Sequence, residues 1–281
     1  MADETAELGE LEDPALRAKR ASELITQHQA RMTELARIRR EAIDDMRGAG
    51  MSQAEIAKSL GMTRGRVAQL VSAGPPPERA FFGTDALTVA LGTKSEAPKR
   101  SGPAGPTVSQ EGFRAYQHLQ ELCVALSLDA GYEFIPPPGM LRLNRDNLVV
   151  ICGPRLSPLL AQVLEADPVL AFAEDSDGWH LADKITGTIY RSPIDDGKPG
   201  DIGYLARLPR PDGKGTFLHI AGIHAVGSDG VVHYLSEHLA DLYSEVRTRR
   251  FSMLISCDLD PATREVTASE RLTRPLRHEG S

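Results

Sequence analysis

The amino-acid sequence predicts an α/β protein, in which an all-α N-terminal domain precedes a domain with a doubly wound, mainly parallel sheet. Two observations lead to this fold class. Residues 13–47 contain no glycine and a single proline, as is typical of long helices, whereas beyond residue 85 apolar strands alternate with amphipathic helices. A chain of 281 residues, of which 41% are hydrophobic, is long enough to form two packed domains.

Charge is unevenly distributed along the chain, although the net charge is only −7. The first 15 residues carry six acidic side chains and no basic ones, and residues 1–12 are interpreted as an acidic tail. Residues 16–72 carry eleven Lys or Arg against six acids. The basic charge is therefore concentrated in the helical part, where it could neutralise the phosphates of a nucleic acid.

The cysteines and the apolar runs indicate where the protein resides. Cys123, Cys152 and Cys257 lie far apart and form no CxxC pair, which argues against a zinc site or a disulfide framework. The sequence has no apolar run of about 18 residues that could span a bilayer, and its acidic start does not resemble a signal peptide. We therefore expect a cytoplasmic protein with no membrane association.

Residues 13–73 are predicted to form a helical arm followed by a pair of short helices. Asp13 is a suitable N-cap and Pro14 fits the first helical turn. The arm carries an apolar stripe at helical spacing, formed by Leu24, Leu35, Ile38, Ala42 and Met46. Two interpretations are open: the stripe packs on the helix pair, or its N-terminal half pairs with a second subunit, which predicts a homodimer.

The segment 51–70 predicts two short helices that meet at a tight turn. Ser52 can cap the first helix, and Glu55 three residues later completes a capping box. Gly61 allows the sharp turn that ends this helix. Thr63 can cap the second helix, which would bury Val67 together with Leu70.

These apolar positions leave a polar face on the second helix. Arginine can bind guanine and glutamine can bind adenine in the major groove. The residues predicted to contact DNA are Ser52, Gln53, Thr63, Arg64, Arg66 and Gln69. The alternative is an ordinary helical hairpin with a solvated basic face. Over residues 50–72 the pattern resembles the helix-turn-helix of sigma-70 factor region 4, and this resemblance implies binding to double-stranded DNA.

Residues 74–84 form a predicted Pro-rich linker, because three consecutive prolines at residues 75–77 cannot continue a helix. The α/β domain is predicted over residues 85–274, with a flexible loop over residues 95–106. Trp179–Asp183 and Gly187–Ser192 are predicted to form a hairpin at one edge of the sheet. Strands are predicted near residues 86–91, 132–135, 147–152, 204–208, 217–221, 251–257 and 265–272, and helices near residues 109–125, 159–165 and 231–246.

Three of these strands are followed by glycine-containing turns. The carboxyl ends of parallel strands meet at one edge of a sheet, so we expect the turns to form a ligand-binding crevice. Basic side chains and helix N-termini there favour an anion such as a nucleotide phosphate. The predicted ligand-binding residues are Gly92, Thr93, Lys94, Gly153, Pro154, Arg155, Ser157, Gly222, His224, Gly227 and Ser228. Plain turn geometry is the alternative at each site.

The sequence assigns no catalytic residue and no metal ligand. It contains neither the Walker pattern nor the dinucleotide GxGxxG fingerprint, so a nucleotide is a possible ligand but no cofactor is identified. Asp195 and Asp196 with His224 and Glu174 could perform acid–base chemistry, although adjacent aspartates between Pro and Gly are more typical of a solvated turn. The histidine spacing indicates no metal cluster, and enzymatic activity is not expected.

The α/β part resembles the Rossmann-like nucleotide-sensing domains of bacterial signalling proteins. With segments such as Ile151-Cys152-Gly153-Pro154-Arg155 and Ile220-Ala221-Gly222-Ile223-His224, the whole chain resembles actinobacterial regulators that join a sigma-like helix-turn-helix to such a domain. The resemblance implies a sequence-specific transcriptional regulator that binds a small anionic ligand. Two alternatives stay open: a nucleotide- or nucleoside-processing enzyme localised by its helix-turn-helix, and a sigma-like module that docks on RNA polymerase.

Overall fold

The computed structural model describes residues 8–9, 13–72, 76–83, 86–96 and 105–278. The chain divides into two compact units, Met1–Pro77 and Glu78–Ser281. The predicted acidic tail, apart from residues 8–9, and most of the predicted loop over residues 95–106 lie outside the described residues. None of the described helices is long and apolar enough to cross a membrane.

The first unit contains three described helices of seven residues or more: α1 (Pro14–Gly48), α2 (Gln53–Ser59) and α3 (Arg64–Ser72). Asp13 accepts a hydrogen bond from the Ala15 amide at 2.9 Å, and the capping box at the start of α2 is complete. The small core of this unit consists of Ile43, Ile56, Ala57 and Val67. Local capping therefore begins these helices where the sequence predicts.

The apolar stripe of α1 does not pack on the short helices as a whole. Leu35 is 62% exposed and Ile38 is 48% exposed. The buried residue of α1 is instead Ile43, and Met46 packs against the same core. Among the described side chains of α1, those near its C-terminal end contact α2 and α3, so the stripe packs on the helix pair in part, through Met46.

The second unit is a mixed α/β structure around a central sheet. Its helices are α4 (Gln110–Ala125), α5 (Pro158–Leu164) and α6 (Ala225–Val246). Its strands are β1 (Leu87–Gly92), β2 (Lys94–Ser95), β3 (Pro106–Thr107), β4 (Ala130–Ile135), β5 (Leu148–Ile151), β6 (Leu170–Asp175), β7 (Gly178–Asp183), β8 (Ile189–Tyr190), β9 (Gly200–Pro209), β10 (Thr216–Gly222), β11 (Phe251–Leu259), β12 (Val266–Arg271) and β13 (Leu276–Arg277).

The central sheet has the order β12-β11-β9-β10-β5-β1-β4, and β13 pairs with β11. Strands β10, β5, β1 and β4 are parallel, which confirms the parallel core of the predicted sheet. Strands β9, β11 and β12 extend this core with antiparallel pairings. The antiparallel part is therefore larger than predicted, because β9 runs against both β10 and β11.

The two faces of the sheet are covered differently. Helices α4 and α6 pack on one face over residues such as Val89 and Leu205, whereas α5 packs on the other face. Strands β6, β7 and β8 form a separate three-stranded sheet on the α5 side. The prediction that the hairpin at residues 179–192 extends the central sheet is wrong, because its apolar residues, including Leu181, pack against that face.

The start of the second unit differs from the predicted linker. Residues Pro77–Phe81 form a 3-10 turn, and Phe81 and Phe82 are buried in the core under α6. The Phe81 ring lies 6.0 Å from that of Phe251. Part of the described linker therefore belongs to the hydrophobic core of the second unit, because two large aromatic side chains follow the prolines.

Candidate functional site

The exposed face of α3 contains the side chains that the sequence predicts to contact DNA. Arg64, Arg66 and Gln69 are exposed, whereas Val67 between them is fully buried. Nη1 of Arg66 donates a hydrogen bond to Oε1 of Gln69 at 2.9 Å. These two side chains are therefore held side by side on the exposed face of α3.

The remaining predicted DNA-contact residues lie at the starts of the two short helices. The Thr63 hydroxyl accepts the Arg66 amide at 3.1 Å, which fixes the first turn of α3. Ser52 caps α2, and Gln53 is exposed beside it. Arg64 makes no ion pair with any carboxylate that the structure describes. A guanidinium in this state is available to an external anion.

In the second unit, the three predicted turns lie at the same edge of the sheet. Strands β1, β5 and β10 are parallel neighbours, so their carboxyl ends at Gly92, Ile151 and Gly222 point in one direction. Nη2 of Arg155, from the turn after β5, donates to the carbonyl of Ile223 in the turn after β10 at 3.1 Å. The turns after β5 and β10 are thus joined directly.

Several predicted ligand-binding residues have structural partners instead. The Thr93 hydroxyl donates to the Ile135 carbonyl at 2.8 Å, and a Cβ at Gly92 would lie 2.5 Å from Sγ of Cys152. The Ser157 hydroxyl donates to the Gly139 carbonyl at 2.6 Å. Pro154, beside Arg155, is buried. These residues shape the turns, and their polar groups are satisfied within the protein.

Lys94 and Gly153 lie at the surface of the first two turns. Lys94 is exposed at the start of β2, where it pairs with Thr107 of β3. Gly153 is half-buried and precedes the 3-10 turn that carries Arg155. Arg155 is exposed and forms no ion pair with the described carboxylates. Two basic side chains therefore face solvent at this edge.

The third predicted turn is largely the beginning of α6. Gly227 and Ser228 belong to the helix, which starts at Ala225, and Oγ of Ser228 accepts the Gly222 amide at 3.0 Å. A Cβ at Gly203 of β9 would lie 2.3 Å from the Gly227 carbonyl oxygen. The prediction of a turn over residues 222–230 is wrong for residues 225–230, which are helical, because small residues let the helix approach the sheet closely.

The N-terminus of α6 already binds a carboxylate of the protein itself. Oδ2 of Asp201 accepts the amides of His224 at 3.0 Å and Gly227 at 2.8 Å. Asp201 is fully buried, and its Oδ1 has no hydrogen-bond partner among the described atoms. Burial raises the pKa of Asp201 to about 6, because desolvation outweighs the hydrogen bonds and the nearby imidazole that favour the charged form.

His224 is held between two aspartates. Its backbone amide binds Asp201, and its Nε2 lies 2.8 Å from Oδ1 of Asp195. The side chains of His224 and Asp195 are 33% and 34% exposed. Nδ1 of His224 has no partner within the described ranges. This is a hydrogen-bonded carboxylate–imidazole dyad with one imidazole nitrogen open, which is the arrangement of a proton-transfer residue.

Other polar residues considered from the sequence lie elsewhere. Asp196 is exposed beside Lys198, and Glu174 lies in β6 of the separate sheet. His219 is buried, and desolvation lowers its pKa to about 4, so it is neutral at pH 7. The described residues contain no group of three or more side chains that could hold a metal ion.

Asp201 is the residue that sequence reasoning missed. It lies at the start of a strand, 23 positions before His224, and nothing in the local sequence connects it with the start of α6. Comparison of the chain with family models, with curated proteins and with solved structures finds no match. The geometry of these residues is therefore the basis for assigning a function.

Proposed function

We propose that the protein is a sequence-specific DNA-binding transcriptional regulator whose α/β unit binds a small anionic, nucleotide-like ligand. The observation that carries the proposal is the face of α3, on which Arg64, Arg66 and Gln69 are exposed while Val67 is buried. The buried Val67 attaches the helix to the core of its own unit, and the exposed polar side chains stay available to contact bases. This is the division of roles in a recognition helix.

Charge supports binding of the first unit to DNA. Residues 16–72 carry an excess of five basic side chains. Arg40 also donates to the Val71 carbonyl at the end of α3, so a basic residue of the long helix lies beside the recognition helix. Phosphate contacts from such residues supply affinity, and the bases select the sequence.

The ligand part of the proposal depends on the edge of the sheet where the turns after β5 and β10 are joined. Arg155 is an exposed guanidinium without a described carboxylate partner, and it lies against Ile223, the neighbour of His224. A guanidinium can hold a phosphate or carboxylate through two parallel hydrogen bonds. A nucleotide phosphate fits this chemistry, with Lys94 as a second cation near the same edge.

The exposed part of the α1 stripe supports a homodimer. Leu35 of the stripe is 62% exposed and Ile38 48%, and Met32, three residues before Leu35, is 70% exposed. All three precede Ile43, the α1 residue that is buried against α2 and α3. A second copy would bury these side chains and would present two recognition helices to two half-sites. Analytical ultracentrifugation of the full chain should show a dimer, and Leu35→Glu should shift it to the monomer.

The DNA-binding proposal is tested by selecting duplexes from a random library with the full-length protein and measuring the affinity for the selected sequence by fluorescence anisotropy. Arg64→Gln and Arg66→Gln should each weaken binding about 10- to 100-fold, as expected when a base-reading group is lost. Arg142→Gln, which removes an exposed positive charge from the second unit, is the matched control and should have little effect.

Two results would contradict the proposal. Enrichment of no sequence from the library would exclude sequence-specific recognition. A stable complex with RNA polymerase in the absence of any duplex affinity would assign the helix pair to protein docking instead.

A further inference from the structure

The carboxyl edge of the central sheet places a proton-transfer dyad beside a cation. His224 and Asp195 are hydrogen-bonded at 2.8 Å, and both side chains are about one-third exposed. Arg155 is anchored to the carbonyl of Ile223, the residue before His224. The guanidinium of Arg155 and the imidazole of His224 therefore belong to adjoining turns at this edge.

The orientation of His224 is fixed at two points. Asp201 binds its backbone amide, and Asp195 binds Nε2 of its imidazole. Nδ1 is the imidazole nitrogen without a described partner. A base with this support is prepared to accept a proton, because the imidazolium that forms is stabilised by the carboxylate on its other side.

The neighbouring hydroxyl and thiol groups are unsuited to be nucleophiles. Ser228 is 6% exposed and its Oγ accepts the Gly222 amide. Ser157 is fully buried and its hydroxyl donates to the Gly139 carbonyl. Cys152 is buried, and desolvation raises the pKa of its thiol to about 12. Water is therefore the nucleophile that the described part of this edge allows.

Asp201 adds a second sign of a functional site. Its carboxylate is fully buried, and one of its oxygens lacks a hydrogen bond from any described group. An unsatisfied buried carboxylate is unfavourable and concentrates at sites with a chemical role. Asp201 also occupies the amides of His224 and Gly227, so these groups at the helix N-terminus are not available to bind a substrate anion. Arg155 is the cation on the turn next to His224 that can hold the substrate's charge.

We propose that this cluster hydrolyses a phosphodiester, with His224 as the general base, Asp195 as its positioning residue and Arg155 as the binding residue for the non-bridging oxygens. The inference rests on the ligand site of the proposed function and makes that ligand a substrate. A water molecule gives a proton to Nδ1 of His224 while its oxygen bonds to phosphorus. The phosphorus–oxygen bond to the leaving group breaks on the side opposite the water, the leaving oxygen takes a proton from solvent, and Nδ1 returns its proton to solvent, which yields an alcohol and a phosphate monoester.

The test uses the full-length protein and bis(p-nitrophenyl) phosphate, with release of p-nitrophenolate followed by absorbance. His224→Asn should lower kcat at least about 100-fold, the usual contribution of a general base. Asp195→Asn should lower kcat less than His224→Asn does and should leave KM unchanged, because the imidazolium loses its carboxylate while Arg155 still holds the charge of the substrate. Arg155→Gln should raise KM about tenfold or more and leave kcat nearly unchanged.

The matched control is His238→Asn, since His238 is a 43% exposed histidine on the same helix that packs on the Tyr234 ring away from the cluster. It should keep the wild-type kcat. No release above buffer by the wild-type protein, or equal rates for wild type and His224→Asn, would overturn the hydrolytic site. Calorimetric titration with inorganic pyrophosphate separates the two proposals. A wild-type protein that binds pyrophosphate but releases no p-nitrophenolate overturns only the catalysis, whereas one that neither binds pyrophosphate nor releases p-nitrophenolate overturns the ligand site as well.

Discussion

Replacing Asp201 with asparagine should make the protein more stable at neutral pH, although it removes a charged hydrogen-bond acceptor. Asp201 accepts two amides at the start of α6 through Oδ2, while Oδ1 is buried without a described partner. The amide of asparagine has nearly the same shape as a protonated carboxyl group. The stability of Asp201→Asn therefore approximates that of the protein with an uncharged Asp201. An oxygen of the side chain can still accept hydrogen bonds from the amides of His224 and Gly227.

The magnitude follows from the pKa. Burial raises the pKa of Asp201 from 3.8 to about 6, so the folded protein holds this proton more tightly than the unfolded chain. Stability from the protonated form is fully present below pH 3.8 and is lost as the pH rises through 6. A difference of about two pKa units corresponds to roughly 3 kcal/mol at pH 7 and above. Asp201→Asn should recover a large part of this free energy of unfolding.

Urea denaturation followed by circular dichroism, repeated from pH 4 to pH 8, measures the effect. The difference in the free energy of unfolding between Asp201→Asn and wild type should be small near pH 4 and should rise to about 2–3 kcal/mol by pH 7.5. Groups that titrate identically in both proteins cancel in this difference. A variant that is less stable than wild type at pH 7.5, or a difference that does not change with pH, would refute the assignment of Asp201 as a strained, desolvated carboxylate.

Three further substitutions probe other parts of the structure by urea or thermal denaturation. Burial raises the pKa of Asp167, but the hydrogen bonds that its carboxylate accepts, such as that from the Tyr204 hydroxyl at 2.7 Å, lower the pKa overall. The charged carboxylate therefore stabilises the folded protein above pH 3.8, and this stabilisation is lost as the pH falls. Asp167→Asn should lower the free energy of unfolding by about 2–4 kcal/mol at pH 7 and should flatten the acid limb of the plot of stability against pH. An unchanged acid limb would contradict this. Ser52→Ala removes the capping box of α2 and should destabilise the first unit by about 1 kcal/mol, with no change in the second; equal effects on both units would be inconsistent with a local cap. Gly203→Ala should destabilise the second unit by more than about 2 kcal/mol, because its Cβ would lie 2.3 Å from a carbonyl oxygen of α6, whereas Gly131→Ala meets nothing within 4 Å and serves as the control; similar effects of the two would exclude the clash.

The parts of the fold that local chemistry determines could be predicted from the sequence. Ser52 and Glu55 are three residues apart, and each satisfies a backbone amide at the start of α2, so the capping box is visible in the sequence and present in the structure. Ser109 is likewise an N-cap, because its hydroxyl accepts the Gly112 amide at the start of α4. Strands β1 and β5 are continuous apolar runs, which predicts burial on both faces.

Burial that depends on distant residues could not be predicted in this way. Periodicity along α1 places Leu35, Ile38 and Met46 on related faces, but only the last turns of the helix meet α2 and α3. The separate β6–β7–β8 sheet is another example, because alternating residues such as Leu181 show that a hairpin has one buried face without showing which surface it covers. The spacing of apolar residues shows which face of an element is apolar, but tertiary contacts determine which surface that face packs against.

The candidate site also depends on distant residues, and its chemistry differs from what the sequence predicts. A helix N-terminus that follows a glycine turn predicts an anion site, and α6 does bind an anion there. That anion is Asp201, which comes from a strand far away in the chain. A second anion brought to the same amides would meet the charge of this carboxylate and would be repelled. For the proposed phosphate ligand, Arg155 is therefore a stronger candidate contact than the glycines that first suggested the site, because its guanidinium is held by the carbonyl of Ile223, the residue before His224.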